Sequence, residues 1–159
     1  MTRDFSGHSV LVTGGTEGIG KATAEVFARA GARVTVNGRD KERLEHALED
    51  LGKTGDVSGV VADVANPRHC ESLYATVTKD GPLDILVNNV GIFEVKPFAE
   101  IDDEEWFRYF NVNVMSAVRM CRLALPPMLA RHSGRIVTVA SEAGVKPLPE
   151  MIHYSVTKT

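Results

Sequence analysis

Tyr154 and Lys158 stand four residues apart near the end of the chain. On a helix that spacing puts both side chains on one face, one turn apart. A free phenol has a pKa of about 10 and is a poor base at neutral pH. An ammonium beside it favours the phenolate and brings the proton within reach of exchange with a substrate oxygen. The same spacing also fits an ordinary amphipathic surface pair. A second chemical feature lies near the start, at Thr13-Gly14-Gly15-Thr16-Glu17-Gly18-Ile19-Gly20. Glycines let a backbone turn tightly and approach a diphosphate without a Cβ clash. A helix starting there adds free N–H groups and partial positive charge. Alone, such a loop is equally an ordinary glycine-rich turn. Gly15–Ala22 also comes one residue short of the triphosphate-binding pattern GxxxxGK[ST]. Ala22 has no hydroxyl for Mg²⁺, and on a helix Thr23 is turned about 100° away. A dinucleotide site therefore outranks a triphosphate site.

Short apolar runs alternate with amphipathic ones along the chain. Ser9–Thr13, Arg33–Asn37, Val57–Val61, Asp84–Asn88 and Arg135–Ala140 read as strands. Between them, Ile19, Ala22, Val26, Phe27 and Ala30 recur at helical spacing before a stop at Gly31. Lys41–Leu51 carries one apolar stripe at Leu44, Ala47, Leu48 and Leu51, and Pro67–Lys79 starts with proline in its first turn. Asp102, with Glu105 in capping-box position, opens a long helix from Asp103 to Leu129, which Pro126-Pro127 should kink or end. Alternation of this kind implies βαβ units, an α/β fold with a doubly wound parallel sheet in a three-layer α/β/α sandwich. With strand order 3-2-1-4-5, the switch point falls between the first and fourth strands, so ligands bind just beyond the tips of strands 1, 4 and 5.

Of the 159 residues, 43% are hydrophobic and 25% charged, enough apolar surface to exclude a disordered chain. A net charge of −3 supplies no basic footprint for nucleic acid. Cys70 and Cys121 form neither a disulfide framework nor a zinc motif. The start, Met1 to Phe5, lacks the apolar core of a signal peptide. No run approaches the ~18 apolar residues of a membrane helix. The expectation is a reducing, cytoplasmic setting with no membrane partner. His8, His46, His69, His132 and His153 show no metal-ligand spacing and read as surface or structural residues, so no metal site is expected. Trp106, Phe107 and Phe110 read as core or packing residues.

The TGxxxGxG at Thr13–Gly20 resembles the short-chain dehydrogenase/reductase family. Four further features resemble it in the family's order: Asp63-Val64 after the third strand, Asn88-Asn89-Val90-Gly91 after the fourth, Asn113 in the long helix, and Ser141 followed by the YxxxK of Tyr154 to Lys158. The resemblance covers nearly the whole chain and implies one Rossmann-type dinucleotide-binding domain over residues 1–159. It implies hydride transfer between nicotinamide C4 and a carbonyl or alcohol carbon. Tyr154 would exchange the proton at the substrate oxygen, and Ser141 would hold that oxygen. Lys158 would lower the phenol pKa and hold the nicotinamide ribose. Asn113 would complete a water-mediated relay to Lys158. Gly14, Thr16, Glu17, Gly18, Ile19 and Gly20 would carry the diphosphate end of the cofactor. Asn37, Arg39, Asp63, Val64, Asn89 and Gly91 would line the rest of its site, together with Tyr154 and Lys158.

NAD binding asks for an acid at the end of strand 2 to take the ribose hydroxyls. Here the strand ends Asn37-Gly38-Arg39, and Arg39 is placed for a 2′-phosphate. NADP is therefore expected, with Glu17 arguing against it and Asp40 leaving NAD open. Ile92-Phe93-Glu94, Ala143–Pro149 and Met151 are expected on the substrate side, with Glu142 and Glu94 adding polarity. The resemblance implies a small carbonyl or alcohol substrate, and a homodimer or tetramer formed through the helix of Asn113 and the helix after strand 5. Family chains continue well past the YxxxK. The expectation is a carboxyl-terminally incomplete domain that turns over little by itself, its fifth strand left as an open edge. The alternative is a dinucleotide-binding or interaction protein without catalysis.

Overall fold

β-Branched residues favour extended backbone, and five short runs rich in them form the sheet. In the computed structural model, which describes residues 4–159, these are β1 (Ser9–Thr13), β2 (Arg33–Gly38), β3 (Val57–Val61), β4 (Ile85–Asn88) and β5 (Arg135–Thr138). Met1, Thr2 and Arg3, on which the reading of the start partly rests, lie outside the described residues. All neighbouring strands pair in parallel, in the order β3-β2-β1-β4-β5. This is the expected winding, and the switch point lies between β1 and β4.

Alternate residues of β1 face opposite sides, as the pleat requires. Val10 and Val12, with Val34 and Val36, pack on α1 (Gly18–Arg29) and α2 (Lys41–Leu51). Leu11 and Leu86 pack on the other face, against Leu73 of α3 (Pro67–Val77) and Met120 and Ala124 of the later helix. Both faces are therefore covered, which explains why β1 and β4 are apolar throughout rather than alternating. No helix among the described residues is long and apolar enough to cross a membrane.

Local details depart from the sequence reading at several points. The face of α1 on the sheet is Gly20, Ala24 and Ala28, while Ile19 and Val26 point outward. Small side chains let this helix lie close to the strands, and closeness outweighs apolar stripe count. The long helix is three pieces: α4 (Asp103–Phe110), a π-helical turn (Asn111–Met115) and α5 (Ser116–Ala130). Pro126 and Pro127 neither end nor precede the end of α5 by a break; the helix runs through them to Ala130. Both prolines are on its exposed side, where water can meet the carbonyls they leave unpaired. Phe107 and Phe110 are not core: they are exposed, and Tyr109 is the buried aromatic of α4. Asp102 caps α4 by accepting the Glu105 N–H, but the Glu105 carboxylate turns to Lys96 instead of closing the box. The last helix, α6 (Ile152–Val156), carries Tyr154. β5 is an edge of the sheet, and its Val137 is exposed.

Candidate functional site

The site begins where β1 ends. Gly14 (φ +66°) and Gly18 (φ +53°) hold the left-handed backbone that the turn into α1 requires. Three polar side chains pin this turn to neighbouring strands. Thr13 Oγ1 donates to the Val87 carbonyl and accepts from the Asn89 N–H. Asn89 Nδ2 donates to the carbonyls of Thr13 and Gly14, at 3.1 and 3.0 Å. Asn37, at the end of β2, accepts the Gly14 N–H at 3.1 Å and donates to the Ala62 carbonyl at 2.6 Å. A Cβ on Gly20 would run into the Gly14 carbonyl oxygen, so α1 can start this close only with glycine there.

Above this floor lies a cavity of about 640 Å³, within the usual range for a bound small molecule. Gly14, Thr16, Glu17, Gly18 and Ile19 line one end with Asn37 and Arg39. Asp63, Val64, Asn89 and Gly91 line its middle, and Tyr154 and Lys158 its far end. Of the residues expected to hold a cofactor, Gly20 alone stands outside the lining, acting through its close approach to Gly14. Asn37 and Asn89 line the cavity while most of their hydrogen-bonding capacity goes to the backbone that shapes it. Sequence reasoning missed Arg43 at the same rim. Its position four residues after Arg39, just inside α2, was an available signal.

At the far end Lys158 Nζ donates to the Val139 carbonyl at 3.1 Å and sits 5.8 Å from the centre of the Tyr154 ring. Burial pushes the lysine pKa down. Tyr154 is half-buried, with its ring centre 6.0 Å from that of Phe93. Asn113 projects from the π turn and is buried. Its Oδ1 accepts the Ile92 N–H at 2.8 Å, and its Nδ2 donates to the Ile92 carbonyl and to Thr157 Oγ1. Thr157 Oγ1 in turn donates to the Tyr154 carbonyl at 2.7 Å. The π turn is thus bonded both to the loop after β4 and to the helix of Tyr154. A position open beside Gly91 lies within 3.6 Å of Lys158 Nζ and 3.7 Å of Asn113 Oδ1, so the two groups flank the same space. Nothing in the sequence flagged Thr157.

Ser141 follows β5 at the rim. Val139 and Ala140 line the cavity, but Ser141 is outside the lining and its hydroxyl accepts the Ala143 N–H at 3.2 Å. A hydroxyl keeps its proton and a second lone pair after accepting one bond, so this contact does not exhaust it. Among the expected substrate-side residues, Ile92 and Phe93 line the cavity, and Val145 is almost fully exposed. His153 is fully buried against Tyr109 and Trp106, a structural placement. His69, exposed, accepts the Asp63 N–H. Among the described residues no group of three or more His, Cys, Asp or Glu could hold a metal ion.

The sequence and fold match those of known proteins. The family model described as short chain dehydrogenase matches residues 8–159. An uncharacterized oxidoreductase of Bacillus subtilis, YvrD, is 55% identical over 150 residues, covering 94% of this chain and 57% of that protein. A human relative described as inactive hydroxysteroid dehydrogenase-like protein 1 is 35% identical over 156 residues, covering 96% of this chain and 47% of that one. L-Sorbose reductase from Gluconobacter frateurii, solved with NADPH and L-sorbose, superposes with a TM-score of 0.92 at 38% identity. The match covers 99% of this chain and 61% of that one. The chain thus spans about half to three-fifths of the length of these relatives.

Proposed function

The chain belongs to the short-chain dehydrogenase family, and from that premise we propose that it serves an NADP-dependent oxidoreductase acting on a small carbonyl or alcohol. The observation that carries this reading is the convergence of Tyr154 and Lys158 on the cavity that begins at the glycine loop. The residues present fit a dinucleotide. Gly18 faces open space at positive φ, where no Cβ crowds the approach of a diphosphate. Asp40, the nearest acid beyond β2, spends its carboxylate capping α2 by accepting the Arg43 N–H. Arg39 is left at the rim to meet a 2′-phosphate.

When bound, NADP(H) supplies or accepts the hydride. The chain's own residues handle binding and the proton. Tyr154 gives its proton to the carbonyl oxygen in reduction and takes it back in oxidation. Lys158 brings its positive charge to 5.8 Å from the centre of the Tyr154 ring. Held by the Val139 carbonyl, its ammonium stays beside the ring. Ser141 positions the substrate oxygen with its remaining hydrogen-bonding capacity. Asn113 fixes the Ile92 backbone and, through Thr157, the turn that carries Tyr154. The exposed aromatics Phe107 and Phe110 on α4 would meet a second copy, giving the homo-oligomer.

The test is a panel of carbonyl compounds, among them ketoses and cyclic ketones, monitored by NADPH and NADH oxidation, with Tyr154→Phe as control. NADPH-dependent reduction that disappears in the variant supports the reading. Equal kcat/KM with both cofactors, or a preference for NADH, removes the NADP assignment. Turnover that survives Tyr154→Phe removes the assignment of the proton to the phenol.

A further inference from the structure

Glu105 stands where it could close the capping box of α4, yet its carboxylate goes elsewhere. Its N–H donates to Asp102 at 2.8 Å, while its Oε2 accepts from Lys96, nine residues back in the chain. Only 12% of the Glu105 side chain and 29% of the Lys96 side chain stay exposed. Lys96 ends a short stretch, residues 92–96, whose first two side chains line the cavity. This stretch is fastened at both ends and free in the middle. Ile92 exchanges two hydrogen bonds with Asn113. The Lys96 N–H donates to the Glu150 carbonyl at 3.0 Å, in the turn that leads into α6. Phe93, Glu94 and Val95 are exposed between these anchors, and the Phe93 ring faces that of Tyr154. The second oxygen of Glu105, Oε1, lies 3.7 Å from Nε2 of His153, the residue before Tyr154. One carboxylate on α4 thus meets the loop on one side and the helix of Tyr154 on the other. No nearby acid stands in for it: Asp102 is spent on the cap of α4, and Glu94 is exposed.

We propose that Lys96 and Glu105 are positioning residues, which hold residues 92–96 against the helix of Tyr154 and so set the gap between the Phe93 ring and the phenol that receives the carbonyl compound. This rests on the oxidoreductase reading of the cavity. Attraction between two charges grows as water is withdrawn from around them, and the pair then holds one geometry more firmly than a surface pair does. Desolvation offsets much of that attraction, so the contribution to global stability is small. What the pair fixes is place. Without it, the far end of the stretch keeps only the bond from Lys96 N–H to Glu150, and a lone backbone bond in an exposed segment opens readily. Phe93 would then swing on the Ile92 anchor and lose its set distance from Tyr154. Neither Lys96 nor Glu105 lines the cavity, so their effect passes through Phe93.

The experiment compares wild type, Lys96→Met, Lys96→Arg, Glu105→Gln, Phe93→Ala and the double variant of the last two. Hydrogen exchange followed by mass spectrometry reads the loop directly, and thermal melting checks the fold. In Lys96→Met and Glu105→Gln the amides of residues 93–96 should exchange about 3- to 10-fold faster, with β1 and α1 unchanged. Lys96→Arg keeps a charged donor within reach of the carboxylate and should restore wild-type exchange. Steady-state kinetics use NADPH and the carbonyl compound that wild type reduces fastest. KM for that compound should rise by about 3- to 10-fold in Lys96→Met and Glu105→Gln, with kcat and NADPH affinity within about 2-fold of wild type. In the Phe93→Ala background, Glu105→Gln should raise KM no further; that loss of additivity is the signature of action through the ring. Faster exchange spread over α4 and the sheet, with a lower melting temperature, would make the pair a stability contact and overturn the proposal. Unchanged exchange, failure of Lys96→Arg to restore it, or a KM effect that adds to that of Phe93→Ala overturns it equally. All these results leave the oxidoreductase reading intact. Folded wild type that reduces no carbonyl compound overturns that reading and the proposal with it.

Discussion

The two ends of the cavity are built on different terms. At the glycine-loop end, Thr13, Asn37 and Asn89 each bond backbone groups of another strand or its loop, and Thr13 and Asn37 are buried. At the other end, Phe93 lines the cavity while 72% exposed, and Val95, Phe98 and Val145, outside the lining, are from 66% to 92% exposed. The first end is held in shape by many mutually dependent bonds. The second presents apolar side chains that hold little else in place. A substitution in the floor therefore changes fold and cofactor affinity together. A substitution on the rim changes what the rim touches and leaves the fold alone. On the proposed function, cofactor affinity is tied to the architecture of the floor, and the exposed rim is free to vary.

The largest expected effect lies at the far end. Tyr154→Phe removes one hydroxyl oxygen that has no hydrogen-bond partner among the described residues. The fold should not notice, and NADPH affinity should stay within about 2-fold of wild type. Turnover should fall by about 10²- to 10⁴-fold, the usual contribution of a positioned acid–base group. Steady-state kinetics beside a fluorescence titration separate the two. A matching loss of affinity would place Tyr154 in the floor and break the contrast.

Gly20→Ala comes next and probes the floor itself. The added Cβ meets the Gly14 carbonyl oxygen and the Asn89 amide, neither of which can retreat without losing its own bonds. Overpacking of this kind costs about 1–3 kcal/mol, and thermal melting should show it. NADPH binding should weaken in parallel, by about 10-fold or more, because Gly14 must move. Loss of affinity at unchanged melting temperature would mean that the floor and the fold are less coupled than their bonds suggest. Phe93→Ala is the matching change on the rim. The ring is 72% exposed and tilts toward Tyr154. Melting and NADPH affinity should hold, while KM for the preferred carbonyl compound rises by about 3- to 10-fold, the value of a partly buried apolar contact.

The same contrast explains what the sequence could and could not disclose. Ser9–Thr13, buried on both faces, is a continuous apolar run and could be bounded to the residue; Val57–Val61, an edge strand only partly buried, was bounded to the residue as well. Their order came from no residue: right-handed crossovers restrict the winding, and the order was taken from the common doubly wound sheet, which the structure has. The glycine loop was legible because positive φ and close approach have few chemical solutions. Which face of α1 packs was not, because Gly20, Ala24 and Ala28 carry little hydropathy signal and Ile19 and Val26 carry much. Pro126 and Pro127 misled because their cost depends on whether water reaches the orphaned carbonyls, a tertiary fact. Phe107 and Phe110 misled because apolar character does not say which side of a helix the core lies on. Asn113 was expected on a helix, but its hold on Ile92 and Thr157 depends on a π turn that no spacing rule announces. Glu17 Oε1 lies 3.6 Å from Arg43 Nη1, a pair that joins α1 to α2, so each residue looked unpaired in its own segment.

The smallest expected effect concerns His153, which touches neither end of the cavity but sits directly before Tyr154. Its ring is fully buried, its centre 3.9 Å from that of the Tyr109 ring, and neither nitrogen has a hydrogen-bond partner among the described residues. Burial holds its pKa below the ordinary value, against the pull of Glu105, whose Oε1 is 3.7 Å from Nε2, and of Glu94; Lys96 and Arg108 add to the lowering. Glu105 is already committed to Lys96, so it cannot fully serve as the counterion of a protonated ring. A histidine with a lowered folded pKa binds its proton more readily in the unfolded chain, so its contribution to stability is complete above the unfolded value of about 6.5 and declines as the pH falls below it. Wild type should therefore lose melting temperature between about pH 7.5 and pH 5.5. His153→Phe keeps the ring against Tyr109 and Trp106 and removes the titration. Its melting temperature should vary less over the same interval, whatever its absolute value. Parallel curves for the two proteins would assign the pH dependence to other groups and leave His153 as packing alone. A steeper curve for the variant would mean that the protonated ring gains more from Glu105 than burial takes away.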